Sequence, residues 1–410
     1  MSMHKDNIER KNFGEVMTPI ELVKEILDTL PNDVWSNPNL KWLDPCVGTG
    51  NFPKIIVERL MIGLSKIISE EELRYKHIIE NMIYVCELQA KNMFIYINTF
   101  NYDRKYKMNI HCGSYLDNNF DIFMDKYGVK KFDIVVMNPP YNDGNSNSGS
   151  SHVLWDKFIT KALNISLKLN GYLVAIHPSG WRNIKGGFKN IQTLLKSKQI
   201  LYLEMHSQKD GIKIFDAITR YDFYCLKNTN NQCIITKIKC QDGTIELVDI
   251  SRLEFIPNGM FETLQKLIAK EGEEAVTILR DCNYHSQREF VSNIKTEKFK
   301  YPCVNYVKKD DSTRFFYSSI NTKGHFGIPK LIMSTGRIKS VGSLLDIKGE
   351  YGLTEFAFAI VDTVENLSFI KQAVDSKKFK TFMEVCAVND IYLNKRIIAI
   401  FRKDFWKMFV

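Results

Sequence analysis

Lys131-Phe-Asp-Ile-Val-Val-Met-Asn138-Pro139-Pro140-Tyr141 decides how this chain folds. Ile134 to Met137 is a short, continuous apolar run, the mark of a buried strand. An amide and two prolines end it. Proline has no N–H to offer a sheet ladder, so the strand stops there. Each proline also drives the residue before it toward an extended conformation. Asn138 is thus predicted in a stiff turn just past the carboxyl end of a strand, where open α/β sheets bind ligands. Its amide both accepts and donates, the carbonyls around it have no helix to serve, and Tyr141 adds a flat ring. That set suits a planar, amino-bearing group such as a nucleobase. A plain strand-terminating turn with a surface tyrosine is the simpler alternative.

Upstream, Lys41-Trp-Leu-Asp44-Pro45-Cys46-Val47-Gly48-Thr49-Gly50-Asn51-Phe52-Pro53 predicts a strand ending at Asp44, a Gly-x-Gly turn and a helix. Strand, glycine turn and helix form the first unit of a nucleotide-binding α/β sheet. The third glycine of the dinucleotide fingerprint is absent. Met82 to Glu87 reads as a second strand closed by an acid, a residue able to hold a ribose diol with both oxygens. Before all this, Ile20, Val23, Ile26, Leu27 and Leu30 have helical spacing, with Thr18 as N-cap and Pro19 in the first turn. A third strand leaves near Ser114 and Asp117. Either is a candidate acceptor for an adenine amino group, and either is equally a turn residue.

Downstream of Tyr141, a polar stretch from Asn142 to Ser151 predicts a flexible loop, a candidate lid beside the site. A helix over 152–169 leads to a buried strand, Gly171 to Pro178, with Ser179-Gly-Trp-Arg182 at its exit. Strands over 200–205 and 221–226 follow, with Phe215 between them. About six strands alternating with helices predict one doubly wound sheet. The alternation fades near 229, after a linker-like Asn228-Thr-Asn-Asn-Gln, so a catalytic domain over 1–228 and a second domain over 229–410 are expected.

The chain has 410 residues, 44% hydrophobic and 25% charged, an ordinary globular composition. No apolar run approaches the roughly 20 residues of a membrane span, and the N-terminus has no signal core. The nine cysteines form no Cys-x-x-Cys pair, which predicts reduced thiols, a cytoplasmic protein and no metal site. The net charge is +9. Arg182, Lys185, Lys189, Lys196 and Lys198 cluster without an acid, and residues 291–340 carry ten Lys or Arg against three Asp or Glu. Aromatics interleave there, including Tyr306, Phe315 and Phe316. Basic groups with rings between them suit a phosphate backbone with accessible bases, and also a solvated face over core aromatics.

In type and order, the Thr-Pro helix, Asp-Pro-x-x-Gly-x-Gly-x-Phe, the acid-ended strand and Asn-Pro-Pro-Tyr resemble the gamma-class (TaqI-like) DNA adenine-N6 methyltransferases. Residues 13–228 carry the resemblance. It implies a Rossmann-like class I methyltransferase sheet followed by a mixed α+β target-recognition domain, and S-adenosylmethionine as cofactor. Thr18, Asp44, Pro45, Gly48, Gly50 and Phe52 would surround its methionine part, Glu87 its ribose, and Ser114 or Asp117 its adenine. Asn138 and the Pro139 carbonyl, in the Asn138-Pro139-Pro140-Tyr141 turn, would bind the target amino group, with Tyr141 and Phe215 stacking on a flipped adenine. Arg182, Lys185, Lys308, Lys309 and Arg314 are the expected contacts to double-stranded DNA. A restriction-modification setting, with a separate endonuclease as partner, or a solitary or phage enzyme would fit. RNA adenine methylation, protein-glutamine methylation and an inactive DNA-binding subunit are the competing readings.

Overall fold

The computed structural model describes residues 17–142, 153–184, 186–230, 235–310, 312–388 and 391–410. The expected DNA-binding residue Lys185, residues 13–16 and most of the polar loop after Tyr141 lie outside the described residues. The chain forms two compact units, Met1–Glu254 and Phe255–Val410.

The first unit is built on nine strands: β1 (Trp42–Asp44), β2 (Ile83–Glu87), β3 (Asn109–Cys112), β4 (Phe132–Met137), β5 (Leu167–Pro178), β6 (Lys198–His206), β7 (Tyr221–Asn230), β8 (Thr236–Lys239) and β9 (Ile245–Val248). Their order is β3-β2-β1-β4-β5-β7-β6-β8-β9. β1 is parallel to both β2 and β4, with Leu43 opposite Tyr84 and Val135. β7 runs antiparallel between β5 and β6. Every residue of β2 is buried, as are all but Asp133 in β4. Strands covered on both faces read as continuous apolar runs, which is why Ile134 to Met137 is so legible.

The structure corrects two expectations. β8 and β9 do not open a second domain. β8 pairs in parallel with β6, Tyr202 opposite Lys237, and Thr236 Oγ1 donates to the Ile200 carbonyl at 2.8 Å. The unit therefore continues to Glu254, past the break expected at 228. The helix expected over 152–169 is an α-helix, Trp155–Lys161, and one π turn, Ala162–Ser166, before β5 begins.

The second unit carries two four-stranded sheets. One contains β10 (Thr277–Leu279), β14 (Lys330–Ser334), β15 (Ser343–Asp346) and β17 (Ala357–Val361), the other β11 (Val291–Ser292), β12 (Tyr301–Val307), β13 (Thr313–Ser318) and β16 (Gly352–Leu353). Val304, Val307, Ile332, Leu353 and Ala359 form a buried cluster. Helices Val364–Asp375 and Lys377–Cys386 complete the mixed α+β arrangement.

Candidate active site

The order β3-β2-β1-β4-β5 places the topological reversal between β1 and β4, the point at which open α/β sheets bind ligands. A cleft with about 1110 Å³ of empty space, part of it open to solvent, lies there.

Glu87 ends β2 and is buried. Its Oε2 accepts the Gly48 N–H and its Oε1 the Gln89 N–H, both at 2.8 Å. The two bonds fix the carboxylate, and two amides do not exhaust its roughly four acceptor sites. Gly48 and Gly50 have φ of +55° and +101°. A Cβ on Gly50 would come within 2.8 Å of the Tyr96 and Phe100 rings, so that position must be glycine on both counts.

Asp44 ends β1 and is 4% exposed. Its Oδ1 accepts the Cys46 N–H at 3.1 Å. Burial pushes the carboxyl up to about 8, the Cys46 N–H opposes the shift, and the charge of Glu87 adds to it. Two neighbouring acids, one reluctant to ionise, favour a ligand that brings positive charge and hydroxyls. A sulfonium nucleoside has both, so the residues present fit S-adenosylmethionine.

Asn138 follows β4. Its Nδ2 donates to Thr18 Oγ1 at 3.0 Å, and its main-chain carbonyl accepts the Cys46 thiol at 3.3 Å. Asn51 Nδ2 donates to the Thr18 carbonyl at 2.8 Å. Thr18 is not the helix cap that its sequence context predicts. Pro19 takes that position, the helix starts at Ile20, and no side chain caps it.

Thr18, Pro45, Gly48, Phe52, Glu87, Ser114, Asn138 and Pro140 line the cleft. Asp44, Gly50 and Pro139 are buried. Of the two candidate adenine contacts, Ser114 faces the cleft. Asp117 is exposed away from it, its carbonyl accepting the Lys161 ammonium at 3.3 Å. Tyr141 is half-buried, and its phenol oxygen has no hydrogen-bond partner among the described residues. Burial, with Tyr221 nearby, pushes that phenol's pKa up.

Two sequence expectations do not hold. Phe215 is 3% exposed, edge-on to Tyr221 at 4.9 Å within the main core, and does not line the cleft. Arg182 is no surface contact for DNA. It is fully buried, its Nε donating to Asp222 Oδ2 at 2.7 Å, while Trp181 Nε1 donates to the same oxygen at 2.9 Å. A cation near a strand end looks the same in sequence whether it faces solvent or pairs with an acid on a neighbouring strand. Sequence reasoning also misses Asn51, Cys46 and Gln89. Asn51 directly follows the glycine turn, which is a usable signal. Cys46 acts through its thiol and main chain, and Gln89 through its N–H, which residue type does not announce.

In the second unit Lys308 and Lys309 are exposed in the turn after β12, and Arg314 is exposed on β13, 5.6 Å from the Phe316 ring. Tyr306, Lys339 and Ser340 share an open basic depression with the two lysines. Other rings of this region pack inward, Phe315 on Tyr351 and Phe326 on Tyr284.

The sheet order, the antiparallel β7 and the cleft over β1 and β4 define a class I methyltransferase fold. Residues 57–210 match the profile of the Eco57I restriction-modification methylase family. An uncharacterised adenine-specific methylase of Mycoplasma pneumoniae is 29% identical over 265 residues, covering 47% of this chain and 61% of the relative. The chain thus spans less than two thirds of that relative's length. Among solved structures, the Type IIL restriction-modification enzyme MmeI, in complex with DNA, superposes with a TM-score of 0.54 at 12% identity, over 96% of this chain and 68% of its own. A nuclease-deletion mutant of the Type ISP enzyme LlaGI, with a DNA substrate mimic, gives 0.53 at 12% identity, over 90% and 52%. At such identities these two likenesses bear on the fold.

Proposed function

We propose that this chain transfers a methyl group from S-adenosylmethionine to the N6 amino group of adenine in DNA, in the manner of a restriction-modification methyltransferase. One observation carries the reading. Asn138 lines the cleft with its Nδ2 donating to Thr18 Oγ1, which makes Oδ1 the amide atom suited to accept from a substrate amine. The adenine-specific relative and the matching family profile support the same reading.

The bound cofactor supplies an electrophilic methyl on a sulfonium. Glu87 holds the ribose hydroxyls, positive charge on the ligand draws the Asp44 carboxyl back toward its ionised form, and Ser114 lies at the adenine end. Asn138 Oδ1 and the Pro139 carbonyl accept the two N–H bonds of the target amine. That draws its lone pair out of conjugation with the ring and stabilises the positive charge growing on nitrogen, which is relieved when the methylated amine gives up one proton to solvent. Alignment of amine and methyl supplies much of the rate. Tyr141 stacks on the extruded base, which offsets an unstacking cost of a few kcal/mol. Lys308, Lys309 and Arg314 meet the phosphate backbone.

Single-molecule sequencing of DNA from cells expressing the protein tests the reading. N6-methyladenine at a defined sequence is expected. Unmodified adenine throughout, with the protein present and folded, would overturn it.

A further inference from the structure

We propose that Thr18 is a positioning residue that couples the amino-acid end of the bound cofactor to the orientation of the Asn138 amide. This rests on the reading of the cleft as an S-adenosylmethionine site.

Across the strand ends, Ser114 lies after β3, Glu87 ends β2, Gly48 follows β1 and Asn138 follows β4, in the spatial order of the sheet. A ribose at Glu87 with its base toward Ser114 sends the rest of the ligand toward Asn138. Thr18 lines that end of the cleft, bonded to Asn138 at 3.0 Å. Its main chain is held independently, by Asn51 donating to its carbonyl. No capping duty occupies its hydroxyl, since Pro19 is the cap residue.

The coupling follows from counting hydrogens. A hydroxyl has one proton and two lone pairs. While its proton is uncommitted, it bonds either face of an amide, accepting from the NH2 or donating to the oxygen. Once the proton goes to a carboxylate, the hydroxyl can only accept. The amide must then present NH2 to Thr18, the arrangement observed, and its oxygen to the substrate. The opposite flip would aim an NH2 at the incoming amine, donor against donor. A carboxylate at Thr18 therefore selects the one flip of Asn138 that binds an amino group.

The test needs no turnover. Protein labelled with nitrogen-15 on asparagine gives a side-chain NH2 signal for Asn138, assigned by its disappearance in Asn138→Asp. Two probes are added in turn: S-adenosylhomocysteine, which carries the carboxylate, and 5′-methylthioadenosine, the same nucleoside without the amino-acid end. Both should bind the wild-type protein. S-adenosylhomocysteine alone should shift the Asn138 pair and slow its hydrogen exchange by about tenfold or more. In Thr18→Val, 5′-methylthioadenosine should bind as before, S-adenosylhomocysteine should bind about tenfold more weakly, and the Asn138 pair should not respond. Thr18→Ser should restore the response. The same shift from both probes in the wild-type protein, or a response that survives Thr18→Val, overturns the proposal. If neither probe binds the wild-type protein, the cofactor reading itself falls, and this inference with it.

Discussion

Glu87 accepts the Gly48 N–H at 2.8 Å, so the carboxylate that ends β2 also holds the glycine turn that leaves β1. One side chain thus shapes the loop and faces the cleft. Glu87→Ala should lower stability by about 2 kcal/mol, the scale of hydrogen bonds to a charged group. It should also weaken S-adenosylhomocysteine binding by more than about tenfold. Glu87→Gln keeps one acceptor and should lose less of both. Chemical denaturation and titration calorimetry on the two variants check this.

Asp44 makes stability fall with rising pH. Its carboxyl titrates near 8 in the folded chain, against an ordinary 3.8, because burial penalises the charged form. Between those values the folded state binds more protons than the unfolded state, so this group's contribution is complete below about pH 4 and is lost as pH rises toward 8. Asp44→Asn should raise the melting temperature at pH 8 and flatten its pH dependence across that window. It should also narrow the preference for cationic S-adenosylmethionine over neutral S-adenosylhomocysteine. Melting curves from pH 5 to 9 and paired calorimetry measure the two effects.

Arg182 and the exposed basic residues of the second unit should separate cleanly. Arg182→Ala leaves Asp222 buried without its cation and should cost about 3–5 kcal/mol of stability. Replacing Lys308, Lys309 and Arg314 together by alanine should change stability little. It should weaken DNA binding and reduce the slope of log affinity against log salt by roughly one for each phosphate no longer neutralised. Denaturation midpoints and salt-dependent binding isotherms report the contrast.

Tyr141→Phe removes a phenol oxygen that is buried without a partner among the described residues. Stability should rise by about 1 kcal/mol, and stacking on a base should survive because the ring does. Phe215→Ala should instead lose about 3–5 kcal/mol, the usual result of emptying a core site. Thermal melts of the two variants suffice.

The sheet of the first unit is legible in the sequence because its central strands are buried on both faces and end in marked turns. Asp44, Glu87 and Asn138 each close a strand or follow one, so a one-dimensional pattern locates all three in space. The boundary at 228 fails because β8 and β9 are four-residue strands whose membership of the sheet is decided by the pairing of β8 with β6, more than 30 residues upstream, and of β9 with β8. Arg182 fails because its partner, Asp222, lies on another strand. Phe215 fails because a ring that faces the core and a ring that faces a ligand have the same local context. The bond between Thr18 and Asn138 spans 120 positions and leaves no trace in local pattern.

Methyl transfer to adenine N6 through Asn138 is open to direct assay. Purified protein incubated with DNA of mixed sequence and methyl-labelled S-adenosylmethionine, followed by digestion to nucleosides and mass spectrometry, tests it directly. Labelled N6-methyldeoxyadenosine is expected from the wild-type protein and at least about a hundredfold less from Asn138→Ala, with S-adenosylhomocysteine binding retained in both. Label on another base, or equal label from the two proteins, would contradict it.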